Sequence, residues 1–304
     1  MEAELLSRSP LWLATLLLLV LVELAWRKRT RRGYDGRAAL ATFGLVLGNI
    51  PFALLNGTII GGIFLAAASL APVQWPLHDW RSWAAGFLLF EFAYYWFHRA
   101  SHHVRWLWAS HAVHHSAEQM TLLASLRLGW TSGLSLGWVF YLPLLLAGCP
   151  PLMLAALRAF DLRYQFLLHT EAVGKLGPLE WVLNTPSHHR VHHAANQAYL
   201  DRNFGGVLII FDRLFGTFAE ERTDERPRYG VLGKPASYNP VQLALREWRA
   251  MARDLCTAPS VRAGLRALLV LPDASAAQPS RATSARAASE TSRQVTSKPA
   301  SFPK

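Results

Sequence analysis

His98 to His115 reads HRASHHVRWLWASHAVHH: six histidines in eighteen residues, with mostly apolar residues between them. The stretch begins where the apolar run Trp83–Phe97 stops, so its imidazoles stand at the end of a helix long enough to approach a membrane surface. Working outward, LWLATLLLLVLVELAW (11–26) reads as a first span, bracketed by Trp12 and Trp26 and followed at once by the basic run RKRTRR (27–32). Acidic Glu2 and Glu4 precede it, the reverse of a cleaved signal peptide, and the basic run assigns residues 27–32 to the cytoplasm. The apolar stretch 38–71 is interrupted by GNIPF (48–52); the part after Pro51 is expected to span and the part before it to lie along the interface. Trp83–Phe97 then returns the chain, and Trp130–Gly148 with Pro151–Leu168 forms a further helical hairpin turning at GCPP (148–151). This count places the basic run, the histidines at 98–115 and a later cluster at 188–193 on one face.

The fold class predicted is all-α, an integral-membrane bundle of about four to five spans under a cytoplasmic, histidine-rich cap. Its expected divisions are an N-terminal anchor with its basic segment (1–37), a membrane-embedded metal domain (38–222), a cytoplasmic C-terminal segment (223–272) with an amphipathic helix near Val241–Leu255, and a disordered Ala/Ser/Thr/Arg/Pro tail (273–304). A hydrophobic fraction of 52% fits a membrane protein, and a net charge of +11, spread without a folded basic module, fits anionic lipid headgroups and not nucleic acid. Cys149 and Cys256 form neither a disulfide framework nor a zinc ribbon.

The histidine spacings carry the chemistry. His98 and His102 are four apart; His111, His114 and His115 stand at i, i+3 and i+4, as do His189, His192 and His193. On a helix those offsets share a face, so each set is expected to converge on one point. Neutral imidazoles packed at a membrane surface lose solvation and charged ones repel, and a cation resolves both. Eight such ligands are too many for one ion and suit two. His169, with Gln165 and Asp161 one and two turns before it, is a ninth ligand or a support to one. Glu91, two turns before His98, orients a ligand, lines a substrate path or makes an interhelical hydrogen bond. Thr185 and Pro186 read as the N-cap and first residue of a helix carrying His189. Asn184 reaches the metal or caps a turn, and His103 and His188 are out of phase with the ligands. There is no H-E-x-x-H, so a zinc-peptidase base is missing. The remaining reading is a two-metal redox site facing a membrane-dissolved substrate, against a non-catalytic membrane protein that stores or senses metal.

His98-x3-His102, His111-x2-His114-His115 and His189-x2-His192-His193 resemble the histidine boxes of the fatty acid hydroxylase / sterol desaturase superfamily. YYWFHRASH, WASHAVHHSAE, RYQFLLHTE, GPLEWVLNTPSHHRVHHAAN and DRNFGGVLIIFDRLFGTFAEE resemble its alkylglycerol monooxygenase branch. The resemblance covers about Phe90 to Glu221. It implies two iron ions held by the eight box histidines, and it favours His169 as a ninth ligand. It also implies O2 as oxidant and hydroxylation or desaturation of a lipid C–H bond. Zinc, higher in the affinity order, is expected to replace iron on overproduction. No haem or flavin module is present, so electrons come from an external donor, a tetrahydropterin or a ferredoxin- or cytochrome-type protein. The substrates expected within the class are an ether lipid, an acyl chain of a bacterial-type lipid, and a sterol or carotenoid.

Overall fold

The computed structural model describes residues 10–271; the disordered tail expected at 273–304 lies outside them. Among the described residues the architecture is helical, with three isolated β-bridges in place of a sheet. The α-helices are α1 (Pro10–Arg29), α2 (Gly36–Ser69), α3 (Trp80–His103), α4 (Arg105–His111), α5 (Leu142–Leu146), α6 (Pro151–Leu168), α7 (Pro186–His192), α8 (Ile210–Leu214), α9 (Pro240–Cys256) and α10 (Val261–Leu269). Asp35, Asp79, Thr185, Asn239 and Ser260 begin α2, α3, α7, α9 and α10 by accepting hydrogen bonds from backbone N–H groups of the first turn.

Among the described residues one helix, α2 with its 34 residues, is long and apolar enough to cross a membrane. At about 1.5 Å per residue it is roughly 50 Å long, so a bilayer core would have to be crossed at a tilt. It runs unbroken through Pro51, where the sequence suggested an interruption. GNIPF is instead a docking site: the Trp130 ring lies so close to Gly48 that an added Cβ would sit 2.2 Å from it, Phe52 stacks on Trp130 at 5.9 Å, and Trp130 Nε1 donates to the Leu45 carbonyl at 2.9 Å. Gly48→Ala is therefore expected to destabilise the fold by about 1–3 kcal/mol; an unchanged thermal midpoint in detergent would count against this packing.

Trp130–Gly148, expected as one helix, is broken into turns, a 3-10 segment at Gly137–Tyr141 and the short α5. Close packing explains the break. A Cβ at Gly133 would lie 2.1 Å from Asn56 Oδ1 and one at Gly137 2.2 Å from the Phe97 ring, while Leu136 takes a left-handed φ of 63°. Tyr141, Leu144 and Leu145 bury against Phe90, Tyr94, Met153 and Leu157, the main apolar core, which ties α3 to α6 below the histidines.

The helix α1, expected from the sequence as an anchor, makes specific contacts with the rest of the protein. Its buried Glu23 accepts hydrogen bonds from Leu122 N (2.8 Å) and Thr170 Oγ1 (2.7 Å). Buried Arg27 donates to the carbonyls of Gly33 and Met120 and pairs with Glu171 at 3.1 Å. The start of the basic run thus binds protein.

Candidate metal centre

Five elements deliver nine histidines to one buried region. His98 and His102 end α3, and His111 ends α4. His114 and His115 open a 3-10 turn, because the helix expected to carry all three of 111, 114 and 115 stops at His111. His169 follows α6, and His189, His192 and His193 lie on α7 and its C-cap.

Their ligand atoms fall into two groups, each with all atoms within 4.8 Å: His98, His102, His111, His115 and His192 in one, His114, His169, His189 and His193 in the other. Neither HxxHH set converges on a single point, as the spacing suggested. Each is divided, with His114 separated from His115 and His192 from His193. The groups touch, with the His115 and His193 rings stacked at 4.3 Å.

In the first group the Nε2 atoms of His98 and His111 are 3.1 Å apart, those of His111 and His115 3.1 Å, and those of His102 and His115 3.2 Å. In the second, His114–His169, His169–His189 and His189–His193 are 3.1, 3.0 and 3.1 Å. Adjacent nitrogens bound at right angles to one ion through bonds of about 2.1 Å stand about 3.0 Å apart, so the spacing fits imidazoles sharing a cation.

Proton positions support the fit. His98 Nδ1 faces the Phe204 carbonyl at 2.8 Å, His192 Nδ1 the Arg202 carbonyl at 2.9 Å, and His169 Nδ1 the Gln165 carbonyl at 2.7 Å. A carbonyl only accepts, so each Nδ1 carries the proton and each neutral ring turns an Nε2 lone pair inward. His192 Nε2 is buried with no hydrogen-bond partner. Burial, then in most cases the neighbouring imidazoles, pushes all nine rings toward the neutral, ligating form.

His169 is pushed down to about 4 from 6.5. For a base whose folded pKa is depressed, the stabilising contribution is full above about pH 6.5 and is lost as pH falls toward 4. The thermal midpoint of the metal-free protein is expected to be flat above pH 6.5 and to fall as pH is lowered toward 4; a midpoint unchanged from pH 7 to pH 4 would contradict this.

The other residues singled out from the sequence lie around these groups. Glu91, buried, accepts from Val207 N and Leu208 N at 2.8 Å each. Asn184 donates to the carbonyls of Gly205 and Gly206 at 2.6 and 3.2 Å, and its Oδ1 is buried with no hydrogen-bond partner among the described residues. Gln165 links Tyr94 OH (2.9 Å) to Asp161 (2.7 Å), and its own carbonyl orients His169. His188 is buried outside both groups, 3.9 Å from Glu180 and with its ring against Phe218. His103 is exposed and donates to the Arg99 carbonyl.

Sequence reasoning missed the loop Asn203–Leu208, which supplies the Phe204 carbonyl and packs the Phe204 ring on His102 at 5.1 Å. Asp212 holds this loop from below, accepting from Phe204 N (2.7 Å), Gly205 N (2.8 Å) and Thr217 Oγ1 (2.6 Å). Asp201, at φ 56°, also went unremarked; its carboxylate is 3.4 Å from His102 Nδ1. The available signal was the pair Gly205–Gly206, where added Cβ atoms would meet Leu208 O at 2.1 Å and Asp161 Oδ1 at 2.4 Å.

Comparison with known proteins places this centre in a lineage. Residues 83–217 match the fatty acid hydroxylase family model. Alkylglycerol monooxygenase of Xenopus tropicalis is 38% identical over 231 residues, 76% of this chain and 50% of that protein. The Danio rerio alkylglycerol monooxygenase is 53% identical over 152 residues, 50% of this chain and 33% of the relative. An ornithine lipid hydroxylase of Rhizobium tropici is 29% identical over 230 residues, 73% of this chain and 68% of the relative. The chain spans half or less of the length of these two alkylglycerol monooxygenases. No solved structure matches it. With its histidine boxes inside the matched region, the chain belongs to the fatty acid hydroxylase superfamily, in the alkylglycerol monooxygenase-like branch.

Proposed function

We propose that this chain is a membrane-bound, non-haem di-iron oxygenase that hydroxylates a C–H bond of a lipid using O2. The observation that carries the reading is the pair of touching, buried imidazole groups with lone pairs aimed inward. One iron is assigned to His98, His102, His111, His115 and His192, the other to His114, His169, His189 and His193. Bound iron supplies the activation of O2 that an unactivated C–H bond requires. The chain fixes the ligand tautomers through the carbonyls of Gln165, Arg202 and Phe204. Phe204 and the aromatic cluster of Tyr95, Phe211 and Phe215 exclude water from one side of the first group.

The topology proposed is multi-pass, with the centre on the cytoplasmic face, the substrate entering from the bilayer and electrons arriving from an external reductant. The divisions at 37, 222 and 272 belong to the same reading. Among lipids, an ether lipid is favoured by similarity to alkylglycerol monooxygenases, and an amino-acid-containing bacterial lipid by similarity to the ornithine lipid hydroxylase.

The test is a single turnover: reduced, iron-loaded protein mixed with O2 and total membrane lipid is expected to consume O2 and yield a lipid heavier by one oxygen. Iron that binds and never reacts with O2 in the presence of any lipid would leave a metal-storage protein instead.

A further inference from the structure

The C-terminal helices are not used by the metal centre, yet their surface is organised. In α10, Val261, Leu265 and Leu269 recur every fourth residue and are 83%, 55% and 54% exposed, a single aliphatic stripe that none of the described residues covers. Beside it stand exposed Arg262 and Arg266, and exposed Arg249 and Arg253 lie on the adjoining α9. No acidic residue occurs between Thr257 and Leu271, and exposed Asp254 is engaged by Arg105 at 2.6 Å.

The position of this hairpin is also defined. Leu243 and Ala244 of α9 pack on Ala41 and Leu45 in the first turns of α2, where Gly44 makes room for Pro240. Beyond those turns α2 exposes Leu47, Ile50, Leu54, Leu55 and Ile59. The Trp248 ring meets Trp106 at 4.9 Å, and its Nε1 donates to Thr131 Oγ1. An aromatic pair beside the basic end of an apolar span is the composition of a bilayer interface. Connection to the centre is direct: Arg105 of α4 donates to the Ala267 carbonyl and Val104 bridges Val270, while the same α4 ends in His111.

We propose that α10 lies in the cytoplasmic bilayer surface, its Val261–Leu265–Leu269 stripe among the acyl chains and Arg262 and Arg266 on anionic phospholipid headgroups. This rests on the membrane reading above. A second copy of the chain is the poorer occupant, because pairing two such faces sets arginine against arginine with no carboxylate to compensate. The short stripe contributes modest apolar burial, so the arginines make the contact dependent on anionic lipid and sensitive to salt.

The experiment uses the full chain in lipid nanodiscs of phosphatidylcholine, with or without phosphatidylglycerol. In a Cys256→Ser background, where remaining Cys149 is buried, an environment-sensitive fluorophore is placed by Leu265→Cys or, as a reference on α2, by Leu55→Cys. Both labels are expected to be quenched by spin-labelled lipid, the Leu265 label more strongly when phosphatidylglycerol is present. Adding Arg262→Gln and Arg266→Gln is expected to lower the ratio of lipid-buried to water-exposed label by about thirtyfold at low salt, roughly fivefold for each arginine. A Leu265 label quenched only by aqueous iodide, while Leu55 is quenched by lipid, overturns the proposal and leaves the membrane reading standing. A Leu265 label shielded from both quenchers means that protein covers the stripe, which also overturns it. If neither label meets lipid, the membrane reading fails and the proposal with it. Dependence on phosphatidylglycerol that survives loss of both arginines overturns the headgroup assignment.

Discussion

His114→Ala is expected to empty one metal site and His115→Ala the other, although the two residues are neighbours in the chain. The geometry divides them: His114 Nε2 lies 3.1 Å from His169, whereas His115 Nε2 lies 3.1 Å from His111 and 3.2 Å from His102. Each single variant should keep about half the metal of the parent protein. Activity should fall well beyond the roughly 10–100-fold typical of changes to residues that merely support a ligand. Double variants give the sharper discrimination, since two losses within one site do not add and losses in separate sites do. His114→Ala with His189→Ala should lose no more metal than His114→Ala alone, while His114→Ala with His115→Ala should lose nearly all. Metal analysis of the four proteins settles the matter; full metal content in both single variants would refute the ligand assignment.

Asp212→Ala is expected to be the most damaging substitution away from the histidines. Its carboxylate accepts from two buried backbone N–H groups and from Thr217 Oγ1, and removal leaves both N–H groups without an acceptor, while Thr217 Oγ1 keeps Tyr95 OH at 3.0 Å. A cost of about 3–5 kcal/mol follows, a fall in thermal midpoint on the order of 10 °C. The damage should also be selective. The held loop and its neighbour supply the carbonyls of Phe204 and Arg202, which orient His98 and His192, both of the first group. His169 of the second group is oriented by Gln165 on a different element. Metal should therefore leave the first site before the second as temperature rises. Simultaneous release from both sites, or a midpoint within a degree of the parent protein, would refute this account.

The helical class and the family were legible in the sequence because both rest on local patterns, the apolar runs and the spacings of the histidine boxes. The eight histidines singled out by spacing, together with His169, which its place at the end of a helix and the resemblance brought in, are those whose ligand atoms the fold gathers. Their division was not legible. Offsets of three and four imply a shared face only while the helix continues, and α4 ends at His111, so His114 and His115 leave on a tighter turn. Pro51 misled in the opposite direction: proline marks a break in water, but α2 continues through it with Trp130 packed one turn away. The roles of Glu91, Asn184 and Asp212 escaped because each is set by a contact with the Asn203–Leu208 backbone, and such tertiary contacts have no local signature. Glycines in Trp130–Gly148 interrupt a segment that hydropathy alone reads as a helix, for reasons that lie in Asn56 and Phe97.

The division of each histidine box has a consequence for biosynthesis. His189, His192 and His193 arrive on one short helix and are shared between the two groups, so neither group is complete until α7 has been made. At about 5–20 residues per second, the ribosome needs roughly 4–14 s to travel from His115 to Pro186. Throughout that interval the first group has four of its five imidazoles, and the second has His114 alone until His169 is made, so neither set is complete. Completion of both groups is therefore a closing event, coupled to the folding of α7, and a chain stalled before α7 would hold neither full ligand set.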